Sequence, residues 1–314
     1  MKKIALVAAL AAIAAPAFAQ SSVTLWGRIN TTVESQKVGT AARTVAVNNN
    51  SSRLGFRGVE DLGGGLKASF SLEHGLNSDT GTVSNGGEFW GRASWVQLEG
   101  GFGAVRLGRW FPGSYFATAD YVSMHNHDTG TSSDALFAFQ GFGNASKNKV
   151  GYFTPNVGGF TAEASVHAGE GVDKRSIDLS GNFDQGPVHL GAGYTKQGPA
   201  NQYAFRGLYE LGALTFGGYI EREDIGAGAT PTRTIGRVSA MYVVGAAEYH
   251  VNVGGTKHGG TSFNGGKAGG KQYTLGYNYN LSKRTKIYGY YTAIDSKYDP
   301  ADFSSLAIGV RHNF

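Results

Sequence analysis

The chain has 314 residues, no cysteine and a formal net charge of +5. Without cysteine it gains nothing from disulfides, and so small a positive excess is too weak to indicate a nucleic-acid partner. The 49 Gly, 16 Tyr and 18 Phe, with only 7 Pro, are typical of many strands joined by tight turns. The mean hydropathy of −0.22 suggests a soluble protein, but a membrane barrel averages to the same value because its strands alternate.

The first 19 residues predict a secretory signal peptide. Two lysines precede an apolar stretch over residues 4–15, and Ala17–Ala19 has the small-residue pattern of a cleavage site. A membrane anchor is the alternative, but the stretch is shorter than the roughly 20 residues that span a bilayer. We therefore expect an exported mature protein that begins at Gln20 and forms one domain over residues 20–314.

The dominant hydrophobic period of the mature chain is two residues, which is the period of a β-strand. In residues 272–281, for example, Tyr273, Leu275 and Tyr277 alternate with polar residues or glycine. A soluble sandwich also alternates in this way, but its apolar face must be covered by a second sheet.

The connections favour a barrel, because seven short turns alternate with longer polar stretches. The short turns lie at residues 61–65, 99–103, 156–160, 184–187, 211–214, 243–246 and 280–285. Together with eight long connections they predict an all-β fold, a transmembrane barrel of 16 antiparallel strands. The strands are expected to begin near residues 22, 50, 66, 88, 103, 147, 160, 174, 187, 201, 213, 234, 246, 270, 285 and 304. A barrel of about this size keeps a water-filled interior.

One connection is unusually long, and we expect it to have a function. It covers residues 110–146 and contains several aromatic residues, among them Phe111, Phe116 and Phe137. An external flexible loop would expose these rings to water. We therefore expect this third long loop to fold into the lumen and pack on the wall.

Segments along the whole chain resemble the β-proteobacterial general porins. They are Ser21–Gly27, Ser52–Gly58, Glu60–Ala68, Phe102–Arg109, Tyr152–Asn156, Gly158–Phe160, Leu281–Thr285 and Gly309–Phe314. The resemblance implies a homotrimer of 16-stranded barrels in the outer membrane of a Gram-negative bacterium, surrounded by lipid and lipopolysaccharide. It also implies a third loop in the lumen and passive diffusion of small hydrophilic solutes and ions.

The last strand ends in Phe314, in phase with Leu306, Ile308 and Val310 on the face expected to contact lipid. A terminal strand that ends in an aromatic residue resembles the signal read by the barrel assembly machinery. We therefore expect Phe314 to act as an assembly signal as well as to close the barrel.

Strand phase points a set of basic residues into the lumen, since a lipid-facing arginine at mid-bilayer costs about 2–4 kcal/mol. The set is Arg28, Arg53, Arg57, Arg92, Lys147 and Lys149. In the family that the chain resembles, basic residues line the wall opposite the third loop, and Arg53 and Arg92 fall on such positions. A further family arginine is Ala145 here, and Lys147 and Lys149 are candidates to replace it.

The loop opposite this wall holds three acids, Asp120, Asp128 and Asp134. A basic wall facing a weakly acidic loop favours anions, because fixed charges set the local potential. The alternative for any single residue is a solvated lumen charge without a special role.

Enzymatic function has little support in the sequence, and we expect no catalytic residue, cofactor or metal. His125 and His127, with Asp128 next to them, form a weak metal pattern because no third ligand is nearby in sequence. A barrel-bound hydrolase is the alternative class, but no G-x-S-x-G motif marks one. A pore that serves mainly as an adhesin or receptor through its external loops is a further alternative.

Overall fold

The computed structural model describes residues 22–120, 146–224, 226, 232–257, 269–296 and 302–314. They form 17 β-segments in one antiparallel sheet. The segments are β1 (Ser22–Val38), β2 (Thr44–Asn49), β3 (Arg53–Gly63), β4 (Leu66–Gly75), β5 (Ala93–Gly100), β6 (Gly103–Arg109), β7 (Lys149–Phe153), β8 (Phe160–His167), β9 (Ser176–Gln185), β10 (Val188–Gln197), β11 (Ala200–Leu211), β12 (Leu214–Asp224), β13 (Thr232–Val244), β14 (Ala247–Thr256), β15 (Gly270–Asn280), β16 (Thr285–Ser296) and β17 (Phe303–Asn313). Short helical turns lie at Asn85–Gly87, Gly113–Tyr115 and Phe116–Asp120. Across these ranges, no helix is long and apolar enough to cross a membrane.

The sheet closes on itself, because β1 pairs with the last strand, β17. On its other side, β1 pairs with β2 through Thr31–Gln36 and with β3 through Ser22–Arg28. Segments β2 and β3 are therefore the two halves of one barrel strand. The prediction of a closed barrel of 16 antiparallel strands is confirmed.

The wall is apolar outside and polar inside. On β15, Tyr273, Leu275 and Tyr277 are 37, 58 and 40% exposed, whereas Gln272 and Thr274 are 0 and 1% exposed. In a closed barrel the exposed face of the single chain is the outer one, so the large apolar side chains form a surface suited to lipid. The seven short turns all join strands where the sequence predicted them.

The second predicted strand is broken, which the alternation did not indicate. It was expected to begin near residue 50, but β2 ends at Asn49 and β3 begins at Arg53. Ser51 between them has a φ of 59°, a left-handed conformation that is rare outside glycine and interrupts a β ladder.

Two of the predicted basic residues lie just before a strand and not in one. The fourth predicted strand begins at Ala93, because Phe89 before it stacks on His74 with 4.2 Å between ring centroids. Arg92 therefore directly precedes β5. Lys147 likewise precedes β7, which begins at Lys149: the Lys147 carbonyl lies 2.6 Å from Nδ1 of His167, which keeps it outside the ladder.

Candidate functional site

Two predicted arginines, Arg28 and Arg53, lie directly opposite each other in the register of β1 and β3. Like charges in this position repel. Both Nε groups donate to the Ser51 carbonyl, at 3.1 and 3.2 Å. The left-handed backbone at Ser51 thus presents one acceptor to two guanidinium groups.

A carboxylate, Glu73 of β4, joins this pair to another predicted arginine, Arg92. Its Oε1 lies 3.4 Å from Nη1 of Arg53 and 2.6 Å from Nε of Arg92. The Arg92 guanidinium also lies over the ring of Phe111, 5.3 Å from the centroid. We call Arg28, Arg53, Glu73 and Arg92 the basic cluster. With three cations and one anion it has a net charge of +2.

The other predicted cations are not part of the basic cluster. Arg57 is exposed and lies 5.8 Å from the ring centroid of Trp26. Lys147 forms an ion pair of 3.7 Å with Asp173 in the connection after β8. Lys149 is buried beneath Trp110, 4.3 Å from the ring centroid. It lies 3.8 Å from Glu163, so its charge is largely offset and shielded from water.

The start of the third long loop, Trp110–Asp120, lies against the inner face of the wall. The Trp110 indole donates to Glu163 at 2.7 Å. Further along, the backbone N–H of Ser114 donates to Asp178 at 3.2 Å, and the Ser114 hydroxyl donates to the same carboxylate. A buried carboxylate that accepts several hydrogen bonds is a strong local anchor.

Two glycines of β10 allow the loop backbone to approach this closely. A Cβ at Gly191 would overlap the Ala117 carbonyl oxygen, and one at Gly193 would lie 2.7 Å from Cα of Ser114. Arg206 of β11 donates through Nε to the same Ala117 carbonyl. The loop backbone therefore lies directly against the backbone of β10 at these two glycines.

The acidic side of the predicted site lies largely outside the described residues. Asp128 and Asp134 are not in the described ranges, nor are His125 and His127. The backbone of Asp120 ends the π-helical turn. Within those ranges, no group of three or more His, Cys, Asp or Glu residues is arranged to hold a metal ion.

Two carboxylates of the inner wall were not among the residues predicted from the sequence. Glu73 and Glu163 both occupy inward positions in the alternation of their strands, so their orientation could be predicted from the sequence. Their ion-pair partners could not be predicted, because pairing depends on the register between neighbouring strands. Arg106 and Arg206 were missed in the same way, although both point inward on their strands.

A closed barrel with an apolar outer face and a charged, polar inner face defines a transmembrane β-barrel that can hold water. The chain belongs to the Gram-negative porin family, whose model matches residues 5–299. The protein is therefore located in the outer membrane.

Two relatives are similar over nearly their whole length. The chain is 31% identical to outer membrane porin protein 32 of Delftia acidovorans over 98% of this chain and 92% of that protein. It is 26% identical to an outer membrane porin protein of Bordetella pertussis over the full length of both.

Among solved structures, the anion-selective porin from Comamonas acidovorans superposes with a TM-score of 0.77 at 28% identity. The match covers 94% of this chain and 100% of that one. OmpF of Salmonella typhi, in complex with daunomycin, matches at a TM-score of 0.72 and 14% identity, over 93% and 97% of the two chains. At that identity the match shows the fold alone.

Proposed function

We propose that this porin is a general diffusion pore that passes small hydrophilic solutes and ions down their gradients and prefers anions. The observation that carries the proposal is the basic cluster on the inner wall, where Arg53 and Arg92 pair with one carboxylate, Glu73, and Arg28 lies opposite Arg53. Similarity to a porin described as anion-selective supports the same preference.

The mechanism has no chemical step. An anion that passes the basic cluster is stabilised by its net positive charge, and a cation is destabilised by the same amount. Salt screens such fixed charges within about 8 Å at physiological ionic strength. The preference is therefore set where the lumen is narrow. The anchored start of the third loop, at Ser114 and Asp178, supports a role of this loop in narrowing it.

The test is single-channel recording in planar bilayers with a salt gradient. A pore gives stepped, ohmic currents, and an anion preference gives a reversal potential of the sign expected for chloride at low salt. Absence of current would refute the pore, and cation selectivity at low salt would refute the assigned preference.

We also propose that the protein is a homotrimer, on the basis of its resemblance to trimeric porins. The folded protein should then sediment in detergent as a trimer and resist sodium dodecyl sulfate until heated. A monomer by sedimentation would refute the trimer and leave the pore intact. Currents that appear in groups of three would support it independently.

A further inference from the structure

A recess of about 400 Å³ opens on the inner wall between β4 and β7, at the end of the barrel where the short turns lie. Its lining includes Lys67, Gln97, Glu99, Arg106 and Phe153. Short turns face the periplasm in outer-membrane barrels, so this recess lies at the periplasmic mouth. It is separate from the basic cluster, with which it shares no residue.

Arg106 is held rigidly at the edge of this recess. Its guanidinium carbon lies 4.0 Å from the ring centroid of Trp95 and 4.3 Å from that of Phe153. Both Nε and Nη2 donate to Oε1 of Gln97, at 2.9 and 2.7 Å. In the described parts of the chain, Nη1 has no hydrogen-bond partner. A fixed cation with one unused donor group is already arranged to receive an oxyanion.

A second cation, Lys67, lines the same recess from β4. It is exposed, and its ammonium forms no hydrogen bond or ion pair with another described residue. The one acid in the lining, Glu99, lies opposite Lys67 in the strand register and accepts a hydrogen bond from Gln97 at 2.6 Å. The lining thus holds two cations and one acid.

The recess is electrostatically independent of the basic cluster at physiological salt. Gln97, the register partner of Arg106, lies five residues after Arg92. Five residues of extended strand span about 17 Å, which is roughly twice the 8 Å screening length. An anion held near Arg106 therefore gains little from the charge of Arg92.

We propose that this recess binds small organic carboxylates at the periplasmic mouth of the pore. The carboxylate would lie between Arg106 and Lys67. The ring of Phe153 and the glycine backbone of the lining, at Gly65 and Gly103, would contact the apolar part of the ligand. The inference rests on the proposed water-filled pore, through which a solute reaches the recess, but not on the anion preference assigned to the basic cluster.

The test is titration of benzoate into the folded, detergent-solubilised protein at low salt, followed by ligand-observed NMR. Wild type should show one saturable site per chain. Lys67→Gln and Arg106→Gln should each weaken binding about fivefold, since one unit charge at about 4 Å in water contributes roughly that much. Lys283→Gln is the matched control, because Lys283 is exposed in a different short turn; it should bind benzoate like wild type.

Several outcomes would overturn the proposal. Unchanged affinity in both Lys67→Gln and Arg106→Gln would show that the recess is not the site. Equal competition by inorganic phosphate would refute the organic ligand class.

If Arg106→Gln does not fold, as judged by heat modifiability, Arg106→Lys and Lys67→Gln provide the test, because Lys67 does not contact the stacked rings. Binding does not depend on current, so normal titration without conductance would refute the proposed function, and normal conductance without titration would refute only this site.

Discussion

Replacing Arg53 and Arg92 together by glutamine should abolish the contribution of the basic cluster to anion preference. The double variant removes two of three cations and leaves Arg28 with Glu73, so the cluster changes from a net charge of +2 to 0. Glutamine is preferable to glutamate here, because glutamate would place three carboxylates together. The side chains of Arg53 and Arg92 are both 16% exposed, so solvent reaches them and the effect is screened.

The magnitude follows from the charge and the salt concentration. An ion about 8 Å from a unit charge in water interacts with it by roughly 0.5 kcal/mol, which screening at physiological salt reduces to roughly 0.2 kcal/mol. A net charge of two units then separates anions from cations by roughly 0.8 kcal/mol, an anion preference of about fourfold. At 0.01 M salt the screening length is about 30 Å, and the preference rises to about 15-fold.

Reversal potentials in salt gradients measure this preference directly. We expect the double variant to lose most of the anion preference at low salt while it inserts and conducts normally. Lys271→Gln is the control, since Lys271 is exposed on the outer face of β15; it should behave like wild type. An unchanged reversal potential in the double variant would show that the basic cluster does not line the narrow part of the pore.

Two further predictions concern the loop anchor and assembly. Gly193→Val should displace Ser114, because the new side chain would occupy the position of Ser114. The single-channel conductance should therefore change while the barrel still folds. A conductance equal to that of wild type would show that the anchor does not shape the lumen. Deletion of Phe314 should reduce the amount of protein in the outer membrane. The deletion removes the terminal aromatic ring and both backbone hydrogen bonds to Gly27, each 3.0 Å. Equal amounts of wild type and deletion variant in the outer-membrane fraction would refute the role of Phe314 as an assembly signal.

The fold was predictable from the sequence because a barrel strand is a local pattern. Alternation gives the inward and outward faces, and short turns mark the strand ends. The strands expected near residues 160, 270 and 285 begin at Phe160, Gly270 and Thr285. The later start of β5 was not predictable, since it depends on Phe89 stacking on His74, a contact between residues distant in sequence.

The site was predictable only in part. Strand phase predicts which side chains point into the lumen, and two of the residues predicted in this way, Arg28 and Arg53, belong to the basic cluster. Lys149 also points inward, but it is covered by Trp110. Strand phase does not reveal such a cover, because the loop that provides it lacks periodicity.

Strand phase does not define the role of Glu73. Substitution of Glu73 therefore gives a separate prediction. As the carboxylate between Arg53 and Arg92 it holds both arginines, but it also cancels one of their charges. Glu73→Gln should therefore raise the net charge of the cluster to +3 and the anion preference to about eightfold at physiological salt, by the same screened interaction. It should also lower the unfolding temperature in detergent, because the charge-assisted hydrogen bond to Arg92 contributes about 1.5–3 kcal/mol. Reversal potential and thermal unfolding, measured on the same preparation, test both effects. A shift toward cations would show that Glu73 matters by orienting the arginines and not by offsetting their charge.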